Sequence, residues 1–162
     1  MKIIFLDVDG VLNSDEYIHR VIHSNITGVE REIDIEKVRL LKQAVNKTGA
    51  KIVMTSSIRH TQLGGKVREL LQREGMVVDK TPFMNEERGK EIKAWISDNG
   101  NVEDFVILDD EVFESYDDSL MTKLIKISNG NGRNFGEGLL PKDVSEIVRR
   151  LGERQISDEL EL

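Results

Sequence analysis

The chain has 162 residues, of which 38% are hydrophobic and 33% are charged, which fits one folded domain and excludes a disordered or fibrous protein. It contains no cysteine, which excludes disulfides, thiol catalysis and cysteine-based zinc sites. The net charge of -7 counts against a sequence-independent nucleic-acid binder, and no apolar run is long enough to cross a membrane. Because the first apolar run ends at Asp7, it is too short for a signal peptide, and we expect a cytoplasmic protein.

Short apolar runs alternate with helical patterns along the chain. The runs predict buried strands at 2–6, 51–54, 76–78, 105–108 and 123–127. Apolar residues at helical spacing predict helices over 35–48, 63–71, 92–96 and 141–151, the last opened by a proline. This alternation predicts an α/β fold with a mostly parallel sheet, which binds ligands at the carboxyl ends of its strands.

Three segments fit no regular element. Residues 13–34 are polar and are interpreted as a flap over the site or a small insert. Residues 128–140 are rich in glycine and asparagine and predict a loop. We expect one α/β domain over 1–152 and a frayed acidic tail over 153–162.

Two aspartates follow the first strand, in the segment Asp7-Val8-Asp9-Gly10. Since side chains alternate along extended chain, Asp7 and Asp9 project toward one side, where a divalent cation, a shared proton or solvent must offset their repulsion. Gly10 permits a sharp turn just beyond them. The alternative is a strand that simply ends at Asp-Gly. An EF-hand is excluded because Leu12 stands where that loop needs glycine.

Hydroxyl and charged side chains follow the later strands. The segment Thr55-Ser56-Ser57 precedes a helix and predicts either a phosphate cradle or an ordinary helix N-cap. The segment 85–91 carries Arg88 and Lys90, which either neutralise a phosphate or belong to a solvated surface. Asp109-Asp110 ends the fourth strand and predicts either a metal site or a capped turn.

The order of these motifs is more informative than any one of them. Two aspartates, a hydroxyl segment, a basic residue and an acidic pair, each near a strand–helix junction, indicate one Mg²⁺-phosphate site. A receiver domain has similar parts, but its adjacent acidic pair follows the first strand and a single aspartate follows the third. That order is the reverse of the one in this chain. His19 and His23 are spaced to share a helix face, but the pattern lacks the glutamate of a zinc motif and favours surface histidines.

These segments resemble, in order, the four motifs of the haloacid dehalogenase-like (HAD) hydrolase superfamily: Phe5–Asn13, Ile52–Ser57, Arg88–Ile92 and Ile107–Asp110. The resemblance covers about residues 1–127 and implies a Rossmann-like three-layer α/β/α sandwich with a minimal cap. The segments Thr55–Arg59 and Arg88–Trp95 are similar to those of the small HAD domains in RNA-repair and phage proteins.

The resemblance implies roles for the acidic residues. Asp7 would be the nucleophile that forms an aspartyl-phosphate. Asp9 would be the general acid for the leaving group and then the base for water. Mg²⁺ would be held by Asp7, by the backbone carbonyl of Asp9, and by Asp109 with or without Asp110.

The resemblance also implies a phosphate-binding set. Thr55 would bind the phosphoryl oxygens, with Ser56 of the same hydroxyl segment beside it. The third motif departs from the family pattern, which usually has lysine. Arg88 fits that position best and Lys90 is the alternative; arginine would supply a fixed cation with bidentate geometry.

We therefore expect a Mg²⁺-dependent phosphatase that cleaves phosphate monoesters. Little of the chain remains for a cap, so the site would be open to a small molecule or to an exposed phosphate on a macromolecule. Arg20, Arg59, His60 and Arg133 are candidates to line it. A nucleic-acid end phosphatase that acts with a partner is an alternative that the net charge does not favour. Two further alternatives are a non-catalytic phosphate-binding module and phosphotransfer to an acceptor other than water.

Overall fold

Within residues 1–129 and 136–155, which the computed structural model describes, five parallel strands form one central sheet in the order β3-β2-β1-β4-β5. The strands are β1 (Lys2–Leu6), β2 (Lys51–Met54), β3 (Val78–Lys80), β4 (Asp104–Asp109) and β5 (Leu124–Lys126). The central strand β1 pairs with β2 and β4, so that Leu6 lies opposite Met54 and Leu108. The carboxyl ends of these three strands therefore meet at one edge of the sheet.

The described part of the chain has six α-helices, five between strands and the last after β5: α1 (Asp15–Ile22), α2 (Ile35–Thr48), α3 (Gln62–Arg73), α4 (Arg88–Asp98), α5 (Asp118–Met121) and α6 (Pro141–Leu151). Short 3₁₀ turns occur at Gly28–Arg31 and Ser57–His60. The predicted bounds of α2 are confirmed, since the Asp34 side chain caps its start and Gly49, with φ of 76°, ends it. No helix in the described residues combines the length and apolarity that a membrane crossing requires.

The sheet separates two apolar cores because successive side chains of each strand point to opposite faces. Ile4 and Leu6 lie in the core that α2, α3 and α6 cover. Ile3 and Phe5 lie in the opposite core, under α4 and α5. All four side chains are fully buried, as expected for a parallel sheet covered on both faces. The predicted α/β/α sandwich with a Rossmann-like parallel sheet is confirmed.

The third strand begins two residues later than the sequence pattern predicts. The segment 76–78 is apolar, but the strand runs over Val78–Lys80. The residues in between follow the end of α3 at Arg73, where Gly75 adopts φ of 90° and the Met76 N–H still donates to the Leu71 carbonyl at 3.1 Å. Termination of the helix thus delays the strand.

The segment 13–34 has more regular structure than expected, since it contains α1 and the first 3₁₀ turn. Asn13 ties its two ends together by donating from Nδ2 to the Glu32 carbonyl at 3.0 Å. Residues 13–34, all of which the structure describes, contribute no side chain to the pocket at the edge of the sheet. Part of the predicted 128–140 loop and of the acidic tail, 130–135 and 156–162, lies outside the described residues.

Candidate active site

Three buried carboxylates gather where β1 and β4 end. Asp7 follows β1 directly, and Asp109 is the last residue of β4. Asp7, Asp109 and Asp110 each offer an oxygen atom, and these atoms lie within 4.8 Å of one another. A cluster of hard oxygen ligands at this spacing suits a divalent cation such as Mg²⁺.

Gly10 allows the acidic cluster to close. Its φ is 79°, and a Cβ atom built there would lie 2.1 Å from Oδ2 of Asp110. Only glycine therefore lets Asp110 approach the turn that follows Asp7. Asn13 fixes this turn, because its Oδ1 accepts from the Gly10 N–H at 2.8 Å and its Nδ2 donates to Asp9 Oδ1 at 3.2 Å.

Arg88 is the cation in contact with this cluster. Its Nη1 lies 2.8 Å from Oδ2 of Asp109 and 3.2 Å from Oδ1 of Asp7. The Cζ atom also lies 4.3 Å from the centre of the Phe113 ring, a cation–π contact. Arg88 is the first residue of α4, so the start of that helix sets the position of the guanidinium.

Gly89 lets α4 approach the loop after β4. A Cβ atom at this position would lie 2.1 Å from the backbone oxygen of Ser115. The Gly89 N–H instead donates to Oγ of Ser115 at 2.8 Å. This close packing brings Arg88 within reach of both strand ends.

Burial, followed by charge repulsion, governs the titration of the cluster. Burial, together with the charge of Asp109, raises the pKa of Asp7 well above its usual range, and Arg88 only partly offsets this. Burial and Asp109 also raise the pKa of Asp110 to about 6. Burial opposes the charged form of Arg88, but the carboxylates of Asp7 and Asp109 outweigh it and raise the pKa of the guanidinium. Simultaneous ionisation of the three carboxylates is therefore unfavourable, and a divalent cation would offset their negative charge.

The hydroxyl segment after β2 lies beside this cluster. The Thr55 N–H donates to the Leu6 carbonyl at 2.9 Å, next to the end of β1. The Thr55 hydroxyl is fully buried and has no hydrogen-bond partner among the described residues, an arrangement that normally implies an additional group. Ser56 instead caps the following 3₁₀ turn, with its Oγ accepting from the Ile58 N–H at 3.4 Å. Ser56 thus serves as the predicted N-cap, and the phosphate-binding role of Thr55 stays a prediction.

Arg59 has a different environment from a substrate-binding arginine. Its guanidinium is buried and makes an ion pair with buried Glu91. The guanidinium donates five hydrogen bonds, to Glu91 Oε2 at 2.6 Å and to the carbonyls of Pro82 at 2.8 Å, Thr81 at 2.9 Å, Ser56 at 3.0 Å and Thr55 at 3.4 Å. These bonds use all its N–H groups. Arg59 therefore joins the hydroxyl segment to α4 and to the loop before it.

An open cavity of about 480 Å³ lies over the cluster. It is lined by Asp7, Asp9, Ser56, Ser57, Arg59, Glu86, Arg88, Glu91, Asp110, Glu111 and Phe113. Asp9 is exposed at this pocket, whereas Asp7 is 6% exposed at its floor. A buried carboxylate, an exposed carboxylate and a fixed cation in one polar pocket can support attack on a bound anion and proton transfer to it.

Several predicted candidates do not reach the pocket. The side chain of Lys90 is 61% exposed and its Nζ lies 2.6 Å from Oε2 of Glu87. Arg20 lines a separate cavity, and His60 is exposed outside the pocket lining. Arg133 lies outside the described residues.

The two histidines of the sequence pattern do lie together. The ring centroids of His19, on α1, and His23, the C-cap of that helix, are 5.3 Å apart. Neither belongs to the group of possible metal ligands found in the described part of the chain. Both side chains are exposed, which agrees with their interpretation as surface residues.

Sequence reasoning missed four residues that shape the site. Tyr116 donates from its hydroxyl to Asp109 Oδ2 at 3.0 Å, and Phe113 covers the guanidinium. Asn13 holds the turn that follows Asp7. Glu91 holds the guanidinium of Arg59. One signal was present for Glu91: it lies on the same helical face as the apolar residues of α4, where a solvated acid is not expected. Asn13 ends the first motif of the family resemblance, and no signal identified Phe113 or Tyr116.

The comparison with known families agrees with this geometry. A family model described as "HAD domain in Swiss Army Knife RNA repair proteins" matches residues 3–132, most of the chain. No curated protein and no solved structure gave a match. Apart from Lys2, the first residue of β1, the matched span contains all five strands of the described sheet, and it contains the acidic cluster. The chain thus belongs to the HAD-like hydrolase superfamily, in the family of HAD domains described from Swiss Army Knife RNA repair proteins.

Proposed function

We propose that the protein is a Mg²⁺-dependent phosphatase that cleaves phosphate monoesters through an aspartyl-phosphate on Asp7. The observation that carries the proposal is the buried Asp7 carboxylate at the floor of an open pocket, beside Asp109, Asp110 and the Arg88 guanidinium. Covalent catalysis divides one difficult displacement into two easier ones, and a carboxylate can serve as the nucleophile.

The residues fit a magnesium ion. The carboxylates of Asp7, Asp109 and Asp110 and the backbone carbonyl of Asp9 would hold it, and oxygen atoms are the ligands that Mg²⁺ prefers. When bound, the ion supplies positive charge that offsets the phosphate and the surrounding carboxylates. The glycine at position 10, which admits Asp110 to the cluster, supports this assignment.

The chain's own residues would carry two displacements. In the first, an Asp7 oxygen attacks phosphorus, the bond from phosphorus to the leaving oxygen breaks, and Asp9 gives that oxygen a proton. In the second, Asp9 takes a proton from water, the water oxygen attacks the same phosphorus, and the Asp7 carboxylate leaves. Arg88 and the unpartnered Thr55 hydroxyl would orient the phosphoryl oxygens throughout.

The substrate test is a phosphate-release screen. With Mg²⁺, the purified protein should hydrolyse para-nitrophenyl phosphate, and activity should vanish in chelator. The panel then includes nucleotides, sugar phosphates, phosphopeptides and terminally phosphorylated oligonucleotides. Since the matching family is described from RNA repair proteins, RNA ends are the second candidate substrate. A protein that binds Mg²⁺ but turns over no member of the panel would instead be a phosphate-binding module.

Metal binding should also stabilise the fold. A ligand present at a hundredfold excess over its Kd adds about 2.7 kcal/mol to the free energy of unfolding, which corresponds to a rise of roughly 5–10 °C in Tm for a chain of this size. We expect Mg²⁺ to raise Tm in the wild type and much less in Asp110→Asn. Differential scanning calorimetry at constant ionic strength measures both shifts.

Glu114 provides the matched control for this experiment. It is exposed and lies outside the acidic cluster, so Glu114→Gln should respond to Mg²⁺ as the wild type does. Equal shifts in Asp110→Asn and Glu114→Gln would contradict the assignment of the metal ligands.

A further inference from the structure

Two glutamates flank the opening of the pocket from different segments. Glu86 belongs to the loop between β3 and α4, and Glu111 follows the acidic pair after β4. Both are exposed, and both line the pocket. Neither side chain forms an ion pair with any described residue. Their charges therefore face whatever occupies the mouth.

The cations of the pocket do not compensate for these charges. Arg59 uses all its N–H groups within the protein and is buried. Arg88 lies against Asp7 and Asp109 at the floor, below the mouth. Among the described residues that line the pocket, positive charge is thus confined to the floor, whereas the two glutamates at the mouth form no ion pair.

The backbone holds Glu86 at this position. Asn85 and Glu86 are consecutive non-glycine residues with φ of 54° and 62°, a conformation that side-chain-bearing residues rarely adopt. The loop is fixed on both sides, because the Met84 N–H donates to the buried Glu91 at 2.9 Å and α4 begins at Arg88. A strained and anchored loop therefore presents one of the two mouth carboxylates.

We propose that Glu86 and Glu111 set the substrate preference of the pocket by repelling esters whose leaving group carries further negative charge. The inference rests on the proposed phosphatase function, in which the phosphate to be cleaved lies on the floor and its leaving group lies in the mouth. The preferred substrates are then monoesters of neutral or cationic alcohols, and polyanionic nucleic-acid ends are poor ones. Repulsion between the two glutamates and a negatively charged leaving group affects the choice between ligands more than the overall affinity.

A matched pair of substrates tests this preference. Two short oligonucleotides of one sequence carry the same terminal phosphate, but one has charged phosphodiester linkages and the other has neutral methylphosphonate linkages. The wild type should have a kcat/KM about fivefold or more higher for the neutral-linked substrate, and the double variant Glu86→Gln/Glu111→Gln should lose most of that ratio.

A second double variant controls for net charge. Glu103 and Glu153 lie at the opposite end of the sheet, since the Glu103 N–H donates to the Met1 carbonyl and Gly152, next to Glu153, accepts from Lys2. Glu103→Gln/Glu153→Gln changes the net charge by the same amount and should keep the wild-type ratio. A ratio near one in the wild type, or an equal loss in both variants, would overturn the proposal.

Salt dependence gives a measurement on the wild type alone. Added salt screens repulsion between exposed charges, so kcat/KM for the charged substrate should rise with salt at fixed Mg²⁺ while that for the neutral-linked substrate changes little. Parallel salt curves would contradict the inference even if the mouth variants are inactive. Absence of turnover with both oligonucleotides and with para-nitrophenyl phosphate would instead contradict the phosphatase function itself.

Discussion

The Asp7→Asn variant should lose at least about 10³-fold in kcat, the scale of loss seen when a covalent nucleophile is removed. The asparagine amide cannot attack phosphorus and form an acyl phosphate. The substitution also removes one carboxylate from the cluster. Phosphate release from para-nitrophenyl phosphate at saturating Mg²⁺ measures the effect. The exposed Glu114→Gln variant is the control, which should retain wild-type activity.

The same substitution should not weaken the fold in the absence of metal. Burial and the charge of Asp109 raise the pKa of Asp7, so the ionised carboxylate is unfavourable where it lies. Replacing it with a neutral side chain of similar shape relieves that repulsion, as often happens at functional residues. Urea denaturation should give a free energy of unfolding equal to or above the wild-type value. Retained activity would contradict a role for Asp7 as the nucleophile, and a large loss of stability would contradict the repulsion between Asp7 and Asp109.

Arg59→Met should cost about 3–5 kcal/mol of folding free energy. The substitution leaves the Glu91 carboxylate buried with only the Met84 N–H as a donor. It also removes four hydrogen bonds to backbone carbonyls, and groups left without partners in the interior are costly. The urea midpoint of the metal-free protein reports the change.

Two variants make this prediction specific. Arg39→Met removes an exposed arginine that pairs with Glu36, and its effect should be far smaller because exposed pairs stabilise little. Arg59→Lys keeps the charge but has too few donors for the carbonyls around it, so it should recover only part of the loss. If Arg59→Met is no more harmful than Arg39→Met, the ion pair with Glu91 does not hold this side of the site together.

Local patterns were sufficient to predict much of the fold. The buried strand Lys2–Leu6 and the helix Ile35–Thr48 have the predicted bounds, because a continuous apolar run and an apolar stripe ended by glycine are unambiguous signals. The carboxyl-terminal edge of a parallel sheet also follows from the alternation of elements. The proximity of Asp7 to Asp109 was therefore predictable from topology alone.

Distant partners were not predictable in the same way. The sequence left the choice between Arg88 and Lys90 open, yet helical geometry alone separates them: Arg88 lies one turn before Ile92, on the buried face, and Lys90 lies on the solvent side. Arg59 seemed suited to substrate binding because of its motif-like position. Its actual partner, Glu91, lies 32 residues away in the chain, and no local pattern indicates such a pairing.

The pocket mouth shows a similar limit. Glu86 lies in a charged run that is typical of solvated surface, and the sequence gives no sign of its left-handed backbone or of its place in the lining of the same pocket as Glu111. Tyr116, which donates to Asp109, follows a polar turn with no helical or strand periodicity. Loop conformations of this kind depend on tertiary contacts, and so they emerge only with the three-dimensional structure.

The most direct test of the phosphatase mechanism is to trap the phosphoryl group on the protein. The wild type is mixed with Mg²⁺ and para-nitrophenyl phosphate, quenched in acid during turnover, digested and examined by peptide mass spectrometry. We expect one added phosphoryl group on the peptide that contains Asp7, and none in Asp7→Asn treated identically. Turnover by the wild type with no phosphorylated peptide, or with the phosphoryl group on another residue, would contradict covalent catalysis by Asp7.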